Sequence, residues 1–383
     1  MTPLFNPPPR PPLGPYVLDV PAFNAALEKA LLIDGVAGFA YQLRQSGQIL
    51  ISNALEYAKR EQDGLEWWTA DVQMHVASVS KLMTAMAMMV LFRDHNISDP
   101  PWDTPIYGYL PDYWHKGPSV NYITFLNLLQ HTSGLGISAP DPVNFQSMES
   151  AIASGIDPAN LGQYNYRNLN YGLCRILLPV INGDIDQSAD PSTWDQKTTS
   201  AYEAYLQAKV FRPSGVVGAT LDHQPACALA YHGPDDTECG WNSGNMEENC
   251  GCDGWHLSVN QLLDVMGEFR RGGGILTPAA AQAMLDHGFG VDPLTTSSAP
   301  LPAALPTPAG NVYCKPGDWH NTNDSPPPRD EQNLAFFLPE DMELAVFVNS
   351  TVGGHTGEND SHFRSLVLQT YLDNLIAQPQ LYP

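Results

Sequence analysis

Basic residues are scarce in this chain: Lys and Arg number 18 against 41 Asp and Glu in 383 residues, a formal charge of −23. Such a balance repels phosphate backbones and anionic headgroups, so neither nucleic acid nor an anionic membrane is expected as a partner. No apolar run approaches the roughly 20 residues that cross a bilayer. The N-terminal MTPLFNPPPRPPLGP is a proline-rich arm without the apolar h-region of a signal peptide. The compartment stays open on that reading: inside the cell, or secreted or periplasmic after loss of a leader. No internal repeat recurs, and no G-x-S-x-G is present, which removes the strained nucleophile turn of an α/β-hydrolase.

Cysteines are few, and their spacing is uninformative for metals. Cys239, Cys250 and Cys252 cluster in ECGWNSGNMEENCGCDGWH, with Cys227 upstream and His256 just after. This fits neither C-x₂-C nor H-x₃-H, so a disulfide-stapled loop is expected ahead of a zinc site, and no metal or other cofactor is expected. Cys174, in the apolar run YGLCRILL, reads as a buried thiol.

What is present is an ordinary globular composition, 43% hydrophobic, in a chain long enough for one large domain or two lobes. PAFNAALEKALLI has the spacing of an amphipathic helix, and GFAYQLRQ and ILISNALEY read as strands around Ser46-Gly47. ITFLNLLQ and SVNQLLDVMGEFRR are helical, and VDPLTTSSAPLPAALPTPAG reads as a surface connection. LAFFLP and ELAVFVNS form a hairpin turning at Glu340 and Asp341, and HFRSLVLQTYLDNLIA closes the chain as a helix. Strands at both ends with helices between them predict a sheet built from both termini and an inserted helical lobe. The expected organisation is an arm over 1–19, a sheet lobe from 20–94 and 260–383, and a helical lobe from 95–259.

Chemistry concentrates in HVASVSKLMT, residues 75–84, which leads into the apolar helix TAMAMMVLF. Residues three apart share a helical face, whereas neighbours diverge by about 100°. Ser78 and Lys81 therefore point into one cleft, and Ser80 does not. A serine hydroxyl needs a base, and a lysine amine serves when burial disfavours its charged form. A serine at a helix start also offers its own N–H to an oxyanion. The alternative is a polar helix start with no chemistry, because S-x-x-K recurs by chance. Downstream, Tyr166 and Asn168 form Y-x-N in YNYRNLNYGLCRILL, suited to proton transfer and to holding a lysine or carbonyl. Its plain reading is a Tyr-rich loop on the helical lobe.

Together these segments resemble the serine β-lactamase and penicillin-binding-protein superfamily, nearest the branch of class C β-lactamases, D-aminopeptidases and family VIII carboxylesterases. ASVSKLMTA is similar to the nucleophile helix, LLQHTSGLG to the signature loop and YRNLNYGLC to the Y-x-N element. CDGWHLSVNQLL is similar to the later G-G-x-x-S-x-x-D-L segment and LAFFLPEDMELAVFVNS to the closing hairpin. The order holds from Gly38 to the C-terminus. The resemblance implies an α+β fold: a mainly antiparallel sheet flanked by helices, with an all-helical lobe and the active site between them. It implies Ser78 as nucleophile, Lys81 and Tyr166 as its proton relay, and Asn168 as a binding residue.

The third family element, K-T-G or H-x-G on a cleft strand, is where this sequence departs. HTGE, starting at His355, follows the closing hairpin and reads as a loop before the last helix. VYCKPGDWHN precedes the hairpin and supplies Lys315-Pro316-Gly317, with His320 as the alternative. By resemblance the Asp318 N–H would be the second oxyanion donor, and NTNDSPPPRDEQ would form a wall of the pocket. Trp241, Trp255 and Trp319 are either cleft aromatics or core. Pro316 removes the hydroxyl that shares the grip on a substrate carboxylate. A small-molecule ester is therefore expected ahead of a β-lactam or D-amino-acid amide, with a non-catalytic binding relative as the further alternative; the oligomeric state is left open.

Overall fold

The structure, a computed structural model, describes residues 15–97, 100–137, 143–294, 303–325, 327–353 and 359–378. His355, Thr356 and Gly357 lie outside the described residues. Strand β1 (Tyr16–Leu18) leads into helix α1 (Val20–Ile33), whose cap Asp19 accepts the Ala22 N–H at 3.1 Å. Strands β2 (Gly38–Gln45) and β3 (Gln48–Lys59) meet at Ser46-Gly47, where φ is 49° and 79°. Two left-handed residues in succession give a hairpin turn the twist of its strands. Short strands β4 (Glu66–Trp67) and β5 (Met74–His75) precede helix α2 (Ser80–Asp94). Helices α3 (Phe125–Leu129), α4 (Phe145–Ser154), α5 (Asn168–Asn182) and α6 (Trp194–Leu206) fill the middle of the chain. Strand β6 (His256–Leu257) and helices α7 (Val259–Gly267) and α8 (Pro278–Asp286) return it to the sheet. Strands β7 (Leu305–Thr307), β8 (Gly310–His320), β9 (Asp330–Leu338) and β10 (Met342–Val348) precede helix α9 (Asn359–Asp373) and strand β11 (Leu375–Ala377).

Seven strands pair antiparallel in the order β4-β3-β2-β10-β9-β8-β7, so the sheet draws on both ends of the chain. Between β5 and β6 the regular elements are helical among the described residues. Alternate side chains on a strand point to opposite faces. Phe39, Tyr41, Leu344, Val346, Leu334 and Phe336 accordingly pack on one face with Phe23 and Leu27 of α1 and Phe363 and Val367 of α9. Ala40, Ala345, Phe347, Ala335 and Phe337 point the other way, into a core shared with α2, α5, α6 and α7. Helix α2 is buried along its whole length from Ser80 to Phe92, as a helix apolar on every side must be.

The cysteine expectation is corrected. All six cysteines are free thiols, and Cys227, Cys250 and Cys252 are buried. The loop carrying Cys250 and Cys252 is held by packing: a Cβ on Gly251 would lie 2.6 Å from the Tyr171 carbonyl of α5. The Cys252 thiol is used in hydrogen bonds, to Asn249 O at 3.1 Å and Asp253 Oδ2 at 3.2 Å. Cys174 is a buried thiol in α5, as its apolar surroundings predict.

Candidate active site

Three segments distant in sequence converge at Ser78. Strand β5 pairs with β6, and Val76 N donates to Trp255 O at 2.8 Å, which lays residues 252–256 alongside the turn before α2. That turn is a single 3₁₀ turn, Ala77–Val79, entered through Ala77 at φ 44°. A left-handed alanine is strained, and the packing around it holds the strain at the residue before the serine. Strand β8 closes on the same turn. A Cβ on Gly317 would lie 2.4 Å from Val76 O and 3.2 Å from Ser78 N, so only glycine permits the approach.

The residues singled out in the sequence meet here. Lys81 Nζ donates to Ser78 Oγ at 2.7 Å, to Asn168 Oδ1 at 2.8 Å and to the Cys252 carbonyl at 3.0 Å. Tyr166 OH donates to Ser78 Oγ at 2.9 Å and accepts from Lys315 Nζ at 3.2 Å. Lys315 also pairs with Asp292 Oδ1 at 2.6 Å. Ser80 lies apart: it is buried, and its Oγ accepts the Trp255 N–H at 3.2 Å.

Strand geometry separates Lys315 from His320. Tyr313 packs into the core on the α2 side and Cys314 on the α1 side, so Lys315, Gly317 and Trp319 face the site while Asp318 and His320 point away. Trp319 stacks edge-on against His75 at 5.8 Å, and His320 Nδ1 instead lies 3.3 Å from Asp318 Oδ1. The backbone edge matters too. The Cys314 carbonyl accepts from Asp292 N at 2.9 Å on the side away from β9. Residues two apart on a strand share an edge, so Pro316, which has no N–H, and the Asp318 N–H lie on that same outer edge, beside the Ser78 turn. Trp255 is core, fully buried against Phe211 and Tyr202, while Trp241 bridges to Ala230. Of the segment NTNDSPPPRDEQ, Glu331 lies in β9, buried against His75, and Arg329 closes the loop on Asp324 at 2.6 Å.

Four buried groups at the site were not singled out from the sequence. Asp253 accepts from Ser78 Oγ at 2.8 Å and lies 3.5 Å from Lys81 Nζ, both side chains wholly out of solvent. Burial pushes its carboxyl up, but Lys81, the Cys252 thiol, His75 and Ser78 together outweigh that and leave it below the usual carboxylate range. His75 is held down to about 4 by burial, against the pull of Asp253, and Nε2 of its ring accepts the Gly254 N–H at 3.1 Å. Its proton is therefore on Nδ1, facing Glu331 Oε2 at 3.2 Å, and burial raises that carboxyl well above its ordinary value. His131 stacks on the Tyr166 ring at 4.4 Å and accepts the Arg167 N–H at 3.2 Å; burial, with Lys315 and Lys81 nearby, keeps it neutral. The one available signal was a charge among glycines: Asp253 stands in CGCDGWH, a stretch otherwise read for its cysteines.

Comparison with known proteins places the fold. No curated protein matches the sequence. Among solved structures, a class C β-lactamase from Rhodobacter sphaeroides superposes with a TM-score of 0.63 at 17% identity, covering 91% of this chain and 98% of its own. EstCE1, a hydrolase with promiscuous acyltransferase activity, gives 0.62 at 16% identity, covering 91% and 99%. A D-stereospecific amidohydrolase from Streptomyces sp. gives 0.61 at 19%, covering 92% and 98%. The model of the Beta-lactamase family matches residues 24–369, from α1 to α9, taking in both halves of the sheet and the helices between them; the chain belongs to the Beta-lactamase family.

Proposed function

We propose that this serine hydrolase acts on carboxylic esters through an acyl-enzyme on Ser78. The observation that carries the reading is the set of hydrogen bonds on Ser78 Oγ, from Lys81 at 2.7 Å and Tyr166 at 2.9 Å, at the edge of β8. Ser78 attacks the carbonyl, and the backbone N–H groups of Ser78 and Asp318 receive the oxyanion. Lys81, held by Asn168, and Tyr166, held by Lys315, both hydrogen-bond the serine oxygen, and Tyr166 stands where a leaving alcohol takes its proton. EstCE1, a hydrolase with promiscuous acyltransferase activity, has a similar fold, which supports an acyl-transfer reading.

The ester preference rests on Lys315. A substrate carboxylate must reach a cation that already holds Asp292 at 2.6 Å, beside a proline with no hydroxyl or N–H to share the grip. A neutral ester asks for no such bond. The test compares kcat/KM for p-nitrophenyl butyrate, nitrocefin and a D-amino-acid anilide. The ester value should be highest. A higher nitrocefin value would make the protein a β-lactamase, and no turnover of any of the three would make it a binding relative.

A further inference from the structure

We propose that Asp253 is a further catalytic residue, the acceptor of the Ser78 proton during acylation. The inference rests on Ser78 being the nucleophile, as argued above.

Hydrogen counting carries it. A hydroxyl owns one proton. Lys315 Nζ carries only donors, so the Tyr166 oxygen accepts from it and the Tyr166 proton turns to Ser78 Oγ, 2.9 Å away. Lys81 Nζ has three acceptors at hydrogen-bond distance: Asn168 Oδ1, Cys252 O and Ser78 Oγ. Ser78 Oγ also lies 2.8 Å from Asp253 Oδ1. Two oxygens that close need a proton between them, and the carboxyl, held in its ionised form by its neighbours, has none to give. The Ser78 proton therefore lies on the line to Asp253, and Lys81 and Tyr166 both donate to the nucleophile. In this arrangement the two groups named from the sequence stabilise the serine oxygen, while the carboxylate the sequence did not single out is positioned to take its proton.

The step balances. Ser78 Oγ bonds to the substrate carbonyl carbon, its proton passes to Asp253 Oδ1, and the carbonyl π pair moves onto oxygen. Collapse breaks the bond to the leaving alcohol, which takes the Tyr166 proton and leaves a phenolate between Lys81 and Lys315. In deacylation, water bonds to the acyl carbon and gives its proton to Tyr166. Ser78 Oγ then departs with the proton from Asp253, and every group regains its starting state.

Geometry builds the position: the β5–β6 pairing brings the loop of Cys252 to Gly254 against the Ser78 turn, and His75 Nε2 pins the Gly254 N–H at 3.1 Å. The ionisable groups facing Asp253 are Lys81 from α2, His75 from β5 and the Cys252 thiol from its own loop, with Tyr166 and Lys315 beyond Ser78.

The test measures the rate of Ser78 modification by a fluorophosphonate across pH, with mass spectrometry of the labelled peptide. In the unmodified enzyme, Ser78 is labelled and the rate falls at acid pH as Asp253 takes a proton. Asp253→Asn should label at least a thousandfold more slowly and lose that acid limb, with its circular dichroism unchanged. Cys252→Ala, which removes a hydrogen bond to the carboxylate, should move the limb to higher pH and covers the case in which Asp253→Asn fails to fold. A wild-type rate and limb in folded Asp253→Asn, or an unmoved limb in Cys252→Ala, overturns the role of Asp253. Absence of label on Ser78 in the unmodified enzyme overturns the nucleophile itself, a distinguishable result.

Discussion

Lys315 Nζ lies 2.6 Å from Asp292 Oδ1, with the lysine side chain 1% exposed and the aspartate 13%. The cation that faces the site is thus met by a carboxylate of the chain itself. Asp292→Asn keeps the shape and removes the charge, leaving Lys315 to seek another anion. The ratio of nitrocefin to butyrate-ester kcat/KM should rise by roughly ten- to a hundredfold, the worth of one charge-assisted hydrogen bond of about 1.5–3 kcal/mol. An unchanged or lower ratio would show that Asp292 does not mask the lysine.

The two serines of the lead-in separate by partner. Ser78→Ala removes the proposed nucleophile, and turnover should drop by about a thousandfold or more, to what binding and oxyanion donors alone provide. Ser80→Ala only orphans the buried Trp255 N–H, held at 3.2 Å. Its cost should fall on stability, about 1–3 kcal/mol in a denaturant midpoint, with kcat little changed. Equal losses of turnover in both variants would contradict this division.

The buried pair of His75 and Glu331 predicts a pH signature of stability. His75 falls from 6.5 to about 4 in the fold, so the unfolded chain binds more protons between those values. The stability it contributes is present above pH 6.5 and is lost as pH falls toward 4, roughly 3 kcal/mol in total. Glu331 has the opposite sign: its carboxyl is raised by burial, so its contribution is intact below 4.5 and lost as pH rises. Glu331→Gln keeps an acceptor for the His75 Nδ1 proton and abolishes that loss. The variant should melt above the wild type at pH 8, and the gap should close near pH 4.5. A gap that widens in acid would mean that Glu331 is ionised in the fold.

Local signals exposed most of the frame. Strand-forming runs flanking turn residues marked β2, β3, β9 and β10, and i, i+3 spacing set Ser78 and Lys81 on one face, because each depends only on neighbours in sequence. The Lys315–Tyr166 contact needed the fold, since residue order offers both Lys315 and His320 ahead of the hairpin, with His320 the nearer. Strand parity separates them once Cys314 is known to face α1. Asp292 had no local mark and Asp253 only its place among glycines: they reach the site through the β5–β6 pairing and the bridge from Asp292 to Cys314, contacts made across long stretches of chain. The cysteine cluster misled for a related reason, because spacing reports possible pairings and not which thiols the core will separate.

Gly317 predicts how tightly the two halves of the site are coupled. Its lack of a side chain lets β8 lie against the Ser78 turn; a methyl group there would stand 2.4 Å from Val76 O, 3.1 Å from Val79 N and 3.2 Å from Ser78 N. All three neighbours are backbone, so no side chain can swing aside, and Ala77 at φ 44° leaves the turn little freedom to retreat. Relief must come from sliding β8 away, and that carries the Asp318 N–H and the Lys315 ammonium with it. Misplacement near an ångström costs on the order of a hundredfold in rate. Gly317→Ala should therefore reduce kcat for the butyrate ester by about that factor while the protein remains folded by circular dichroism. Fluorophosphonate labelling of Ser78 should slow in parallel, because the same N–H serves the oxyanion of both reactions. If labelling and turnover both stay within a few-fold of wild type, β8 does not supply the second oxyanion donor.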